Sequence, residues 1–233
     1  MRANVIVADD FYADPDAVRA YALSLDYYYP YQDRERVSGG EPPSWYASRF
    51  LEASSCPFKS SATLLDRLAA LTGETVEIEH WKRSYPTTPD GRAARAATID
   101  DTCLWNCSFH VKPDRPQPLG EGVHNHVTDV WNAVGVNGWA GIVYLSGDAP
   151  VGGGLKTWRN RRRDHDFDWM TPSENWELID DIGNVYNRLV LARGDVPHSG
   201  SQGWGHDVAT GRLFQTFFFK TVEPGYLASV DPF

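Results

Sequence analysis

The chain has 233 residues, enough for one large or two small domains and for a full hydrophobic core without disulfides or a structural metal. Aromatic residues make up 13%, which argues against disorder, and the net charge of −9 argues against nonspecific binding to nucleic acids or anionic membranes. No run of 18 apolar residues occurs, the N-terminus lacks a signal-peptide core, and the three cysteines form no disulfide pattern, so we expect a cytoplasmic protein.

Two helices are predicted near the N-terminus. Asp14 and Pro15 have the residue types of an N-cap and a first helical position, and apolar residues follow at helical spacing as far as Leu25. A second helix is predicted from Thr63 to Leu71, and Gly73 is a typical residue for ending it.

The hydrophobic period changes after residue 75. In residues 76–81, Val76, Ile78 and His80 alternate with Glu77, Glu79 and Trp81, which predicts a strand. Further strand-like runs, separated by Pro, Gly and Asn, cover residues 103–111, 122–127, 139–145, 187–192 and 212–219. Many short strands and few helices predict a mainly β protein, an antiparallel sandwich or barrel with the early helices packed outside it. We therefore predict a single domain, 1–233, with a helical N-terminal part (1–75) and a β core (76–222).

Three histidines lie in or beside these runs. His124 and His126 are two residues apart, so in a strand their side chains share one face. His198 follows the apolar run 187–192. Two histidines and a carboxylate, with open positions opposite, are typical of non-haem Fe(II) sites that activate oxygen. The pattern therefore predicts a metal site that includes His198.

Four segments resemble a known family, the Fe(II)/2-oxoglutarate-dependent oxygenases, in particular their prolyl-hydroxylase-like branch. The segments are VIVADDFYADPDAVRAYALSLDY (5–27), WAGIVYLSGDAPVGGGLKTW (139–158), NRLVLARGDVPHSG (187–200) and GRLFQTFFF (211–219). The resemblance implies a double-stranded β-helix, or jelly roll, with flanking N-terminal helices. It also implies two cofactors, Fe(II) and 2-oxoglutarate.

The family motif for the first two metal ligands is His-x-Asp, and the sequence departs from it. His124 and His126 have the right spacing with a histidine in place of the aspartate. His126 and Asp129 have the right residue types with one residue too many between them, which a β-bulge would accommodate. A third alternative pairs His124 with Asp129 and places His126 behind them. His198 is the further ligand in all three.

The resemblance also implies residues that hold 2-oxoglutarate. Arg212 would pair with the carboxylate that is distal to the metal, because a planar guanidinium matches both carboxylate oxygens. Thr216 shares the face of Arg212 in an alternating strand, and Tyr144 is a further candidate for hydrogen bonding the cosubstrate, although it would serve equally well in core packing.

The resemblance implies an iron- and 2-oxoglutarate-dependent oxygenase that uses O2 to oxidise an unactivated C–H bond of a small molecule, as in secondary metabolism. We expect neither nucleic acid nor membrane as a partner. Two alternatives stay open: a cupin-like metalloenzyme that uses three histidines without 2-oxoglutarate, and a non-catalytic jelly-roll module that binds a small ligand.

Overall fold

A computed structural model describes residues 3–28, 45–48, 56–82, 105–117, 119–127, 132–162 and 173–222 of the chain. Asp129, one of the candidate metal ligands, lies outside these residues.

The two predicted N-terminal helices are confirmed. Helix α1 spans Pro15–Leu23 and helix α2 spans Ala62–Thr72. In each, the N-cap side chain, Asp14 or Ser61, accepts a hydrogen bond from a backbone N–H of the first turn. Gly73 ends α2 with a φ of 68°, a left-handed conformation that glycine adopts without steric cost.

The strands form two larger antiparallel sheets and one small one. The described strands are β1 (Val5–Ala8), β2 (Tyr27–Tyr28), β3 (Tyr46–Ser48), β4 (Thr75–Val76), β5 (Phe109–Lys112), β6 (Trp139–Tyr144), β7 (Leu155–Asn160), β8 (Trp176–Ile182), β9 (Leu189–Arg193), β10 (His198–Gly200), β11 (Arg212–Phe219) and β12 (Thr221–Val222). Seven of these strands build the major sheet in the order β1-β9-β6-β11-β5-β3-β2, three build the minor sheet in the order β10-β7-β8, and β12 pairs with β4. This mainly antiparallel arrangement is the predicted jelly roll.

The central strand β11 shows how the sequence separates the two faces of the major sheet. Leu213, Phe217 and Phe219 belong to the main hydrophobic cluster, which also includes residues of α1 and α2. The alternate residues of β11, among them Arg212 and Phe214, line a cavity on the opposite face. The helices therefore cover one face of the major sheet, as predicted, and leave the other face for the site.

The strand predicted over residues 76–81 is wrong beyond its first residue. Only Thr75–Val76 forms a strand, and Ile78–Lys82 forms a short helix, α3. The helical turn buries two consecutive residues, His80 and Trp81, which a strand would direct to opposite faces. A short alternating run does not by itself distinguish these two outcomes.

Two other predicted strands are shorter than expected. In the run 103–111 the strand begins only at Phe109, because Cys107 has a φ of 66°, outside the extended region. In the run 122–127 a single bridge pairs His124 with His198. The predictions for 139–145 and 212–219 agree with β6 and β11.

Within the residues that the structure describes, none of the helices combines the length and the apolar character required to span a bilayer.

Candidate metal centre and cavity

Three histidines converge at the edge of the minor sheet. His124, His126 and His198 each offer a ring nitrogen, and these atoms all lie within 4.8 Å of one another. The bridge between His124 and His198 is antiparallel, with the backbone N–H of each residue bonded to the carbonyl of the other at 3.0 and 2.8 Å. The sheet therefore holds two of the three side chains at fixed positions.

Backbone hydrogen bonds also fix the position of His126, outside a regular strand. Its N–H donates to the carbonyl of Gly194 at 2.7 Å, and its carbonyl accepts from the N–H of Val134 at 2.8 Å. Its ring packs against Phe218 with a centroid distance of 4.9 Å. His126 consequently joins the cluster through tertiary hydrogen bonds.

The ring nitrogens of two of these histidines are oriented for metal binding. Nδ1 of His124 lies 2.8 Å from the carbonyl of Gly122, and Nδ1 of His198 lies 2.8 Å from the carbonyl of Val196. A carbonyl only accepts, so Nδ1 carries the proton in both rings, which is the tautomer that binds a metal through Nε2. Metal-bound histidines commonly have such a partner on the other nitrogen.

Burial keeps His198 in the form that binds metals. Burial lowers the pKa of His198 to about 3, with a smaller contribution from the charge of His126. At neutral pH the ring is uncharged, which is the protonation state that a metal ligand requires.

The histidine cluster lies on the wall of a cavity of about 300 Å³ between the two sheets. One part of its wall is aromatic, and the other part carries polar and cationic groups. The aromatic side chains include Trp45, Trp105, Phe214 and Phe218, and the polar ones include Lys112, Gln117 and Arg212. A cavity of this size accommodates a small organic ligand.

Arg212 is a buried cation without a carboxylate partner among the described residues. Only 1% of its surface is exposed. Nε donates to the carbonyl of Gly153 at 2.7 Å and Nη2 to that of Gly154 at 3.2 Å. These bonds leave further guanidinium N–H donors facing the cavity, and burial lowers the pKa of Arg212.

The glycine-rich segment 152–154 brings those carbonyls to Arg212. A Cβ added at Gly154 would lie 1.7 Å from the carbonyl oxygen of Ile182, so only glycine allows the two backbone segments to pack this closely.

Tyr144 lies beside Arg212 behind the cavity wall. Its side chain is fully buried, the ring centroid is 5.7 Å from the guanidinium carbon, and no described residue makes a hydrogen bond with its hydroxyl within normal geometry. Burial raises the pKa of Tyr144 to about 12, although the charge of Arg212 opposes the shift, so the hydroxyl keeps its proton as a donor. A buried donor without an acceptor fits a site that binds a carboxylate.

Thr216 lines the cavity, but its hydroxyl already has partners. The hydroxyl donates to the carbonyl of Trp105 at 2.7 Å, and Nε2 of His110 lies 2.9 Å from Oγ1 of Thr216. Because the hydroxyl proton is used, the imidazole donates, and Thr216 fixes the tautomer of His110. The role of Thr216 in holding a cosubstrate stays a prediction.

The structure thus brings together five of the seven residues that the sequence suggested for the site, four of them on the cavity wall and Tyr144 behind it, and Thr216 also lines the cavity. Those five are His124, His126, His198, Arg212 and Tyr144, and Asp129 lies outside the described residues. Sequence reasoning missed His110 and Lys112, which line the cavity from β5. A histidine and a lysine two residues apart in a predicted strand were the available signal, since such residues share a face.

Comparisons with known proteins show similarity of structure at low sequence identity. HygX from Streptomyces hygroscopicus, solved with nickel and 2-oxoglutarate bound, matches with a TM-score of 0.50 and 11% identity over 93% of this chain and 82% of that one. A prolyl-4-hydroxylase from Pseudomonas putida matches with a TM-score of 0.43 and 15% identity over 93% and 91% of the two chains. A prolyl hydroxylase from Trichoplax adhaerens, in complex with a hypoxia-inducible-factor peptide, matches with a TM-score of 0.42 and 12% identity over 98% and 87%.

The likeness to HygX shows a shared fold. Searches with protein-family models and against curated protein sequences found no match to the chain. The jelly roll implied by the sequence resemblance is therefore confirmed at the level of fold.

Proposed function

We propose that this protein is a non-haem Fe(II)- and 2-oxoglutarate-dependent oxygenase that oxidises an unactivated C–H bond of a small molecule. The observation that carries the proposal is that three converging imidazoles and a buried arginine, which has no carboxylate partner among the described residues, line one cavity. The fold shared with HygX is compatible with this function but does not determine it.

The donor set fits Fe(II), with His124, His126 and His198 as the proposed ligands. Imidazole binds Fe(II) as well as zinc, copper and nickel, so the ligand set alone does not select the metal. Iron chelated by an α-keto acid would supply the activation of O2 that C–H oxidation needs.

The chain's own residues would orient the cosubstrate. Arg212 would hold the distal carboxylate of 2-oxoglutarate through its remaining N–H donors, and Tyr144 would donate its hydroxyl to the same group. The aromatic wall would exclude water and contact an apolar part of the substrate. Trp45 and Trp105 pack edge to face there, with ring centroids 5.0 Å apart.

The ligand set is tested by metal binding to matched alanine variants. We expect His198→Ala and His126→Ala to reduce anaerobic Fe(II) binding by about 100-fold or more, because each removes one of three ligands. Asp129→Ala should keep most of the binding, and His206→Ala, which removes an exposed histidine, is the control. Unchanged iron stoichiometry in His198→Ala would contradict the metal site. A loss in Asp129→Ala as large as that in His126→Ala would favour the bulged His-x-x-Asp site, and a larger loss in Asp129→Ala than in His126→Ala would favour the alternative that pairs His124 with Asp129.

A second candidate function is favoured by the histidine triad itself. Three histidines without a carboxylate also suit a metalloenzyme that uses no 2-oxoglutarate. Anaerobic titration of the Fe(II) protein with 2-oxoglutarate separates the two: the proposed oxygenase develops the charge-transfer absorption of the chelate. If wild type binds iron but gives no such band, the second candidate replaces the first.

A further inference from the structure

Lys112 lies directly opposite Arg212 on the neighbouring strand. The register of β5 and β11 pairs the two residues, and both line the cavity. Opposite residues of an antiparallel pair project to the same face with Cβ atoms about 5 Å apart. The cavity therefore has two long cationic side chains that start from adjacent positions.

Neutral groups hold the ammonium of Lys112. Nζ donates to Oε1 of Gln117 at 2.6 Å and to the carbonyl of Ser201 at 3.0 Å. The amide of Gln117 is itself fixed, because its Nε2 donates to the carbonyls of Glu121 and Gly200. One of the three ammonium N–H donors has no acceptor among the described residues.

No acidic side chain of the described part of the chain lines this cavity. Burial lowers the pKa of Lys112 to about 7, the charge of Arg212 lowers it as well, and Glu121 acts in the opposite direction. The half-buried ammonium of Lys112 beside the buried guanidinium of Arg212 is costly, because the two like charges repel each other where little water screens them, and a bound anion offsets that cost.

The distance from the histidine cluster indicates the length of that anion. Arg212 lies against Gly200, where an added Cβ would be 3.4 Å from Nη1. Gly200 is two residues beyond His198 on β10, which corresponds to about 7 Å along a strand. A ligand that reaches from the histidines to the two cations therefore has the span of a five-carbon diacid.

We propose that Lys112 is a second carboxylate-binding residue, which holds the distal carboxylate of a dicarboxylate ligand jointly with Arg212. This inference rests on the proposed function, since it takes 2-oxoglutarate as the resident diacid. With this contact, Lys112 makes the site bind diacids more tightly than keto acids that have a single carboxylate.

The test uses glutarate and metal-free protein, so that neither iron nor a keto group contributes to binding. By calorimetry, Lys112→Met should bind glutarate about tenfold or more weakly than wild type, because it loses a charge-assisted contact but keeps the apolar stem. Lys112→Arg, which keeps the charge, should stay within about threefold of wild type. Lys82→Met, which removes an exposed lysine, should bind like wild type. Wild-type protein that binds no glutarate, or Lys112→Met that binds it as tightly as wild type, would overturn the proposal.

A measurement on wild type keeps the proposal testable if Lys112→Met does not fold. The chain has five lysines, so the Cε resonance of Lys112 can be assigned in lysine-labelled protein by comparison with Lys112→Arg. Addition of glutarate should shift that resonance, and an unmoved resonance at saturating glutarate would refute the contact.

The iron-loaded protein distinguishes this proposal from the proposed function. If wild type forms the 2-oxoglutarate chelate and Lys112→Met retains the full preference for 2-oxoglutarate over 2-oxopentanoate, the role of Lys112 is wrong and the oxygenase stands. If glutarate binding depends on Lys112 but no chelate forms with iron, the dicarboxylate site stands and the oxygenase does not.

Discussion

Arg193 and Arg212 lie at the ends of strands in the same sheet, and only 3% and 1% of their surfaces are exposed. Their charges are compensated differently. Arg193 forms a two-point ion pair with Glu74, in which Nη1 donates to Oε2 at 2.9 Å and Nη2 donates to Oε1. Its guanidinium also stacks on the ring of Trp139, with 3.8 Å between the guanidinium carbon and the ring centroid.

The carboxylate of Glu74 also accepts hydrogen bonds from two other residues. Thr221 donates to Oε2 at 2.6 Å and the indole N–H of Trp139 donates to the same atom at 3.1 Å. Arg212 donates to two backbone carbonyls and lies over the rings of Phe214 and Tyr144, 4.8 and 5.7 Å away, and it has no carboxylate partner among the described residues. A buried arginine whose charge is neutralised within the protein stabilises the fold, whereas one whose charge is left open to a cavity is available to a ligand.

The largest expected effect on stability comes from breaking the ion pair of Arg193 and Glu74. Arg193→Met and Glu74→Gln should each lower the free energy of unfolding by about 3–5 kcal/mol, because each leaves the other partner buried without its counter-charge. Urea denaturation measures this. The matched control is the pair Arg188–Asp9, where the Asp9 side chain is 54% exposed, and Arg188→Met should cost about 1 kcal/mol or less. Equal losses at the two sites would contradict the comparison.

Substitution of Arg212 should weaken ligand binding strongly and change stability little. Arg212→Met should change the free energy of unfolding of the ligand-free protein by at most about 2 kcal/mol, since removing an uncompensated buried charge offsets the two lost hydrogen bonds. The same variant should weaken 2-oxoglutarate binding to the Fe(II) protein by about 30-fold or more. Arg212→Lys should lose less, because it keeps the charge. A loss of stability as large as that of Arg193→Met would show that Arg212 is structural.

The third expected effect is the pH dependence that the Arg193–Glu74 pair contributes to stability. Burial raises the pKa of Glu74, but the hydrogen bonds from Arg193, Thr221 and Trp139 outweigh burial and hold the pKa at about 2, against a usual value of 4.5. A carboxylate with a lowered pKa in the folded state stabilises it fully above its unfolded pKa and progressively less as the pH falls through the folded value. The stability difference between wild type and Glu74→Gln should therefore be constant above about pH 4.5 and shrink towards pH 2 in urea titrations. A difference that stays constant down to pH 2 would contradict the pKa shift.

The sequence predicted the elements whose signals are local. The caps of α1 and α2 and the alternation along β11 are encoded by neighbouring residues, so their bounds agree with the structure to within one or two residues. The run 76–81 failed because five or six residues contain too little periodicity to separate a strand from a helical turn, and the burial of Trp81 against Phe217 depends on a contact distant in sequence.

For the candidate site, the sequence by itself determined the types of the ligand residues and the spacing that puts His124 and His126 on one side of the chain. Only the tertiary structure brought His198 against His124, because a bridge between residues 74 positions apart is a long-range contact. It likewise decided that Arg193 is neutralised by Glu74 while Arg212 is not, since both arginines look alike in the sequence and a charge's partner depends on which backbone segments meet. Lys112 gained its place beside Arg212 from strand register, a property of the sheet that no local pattern specifies.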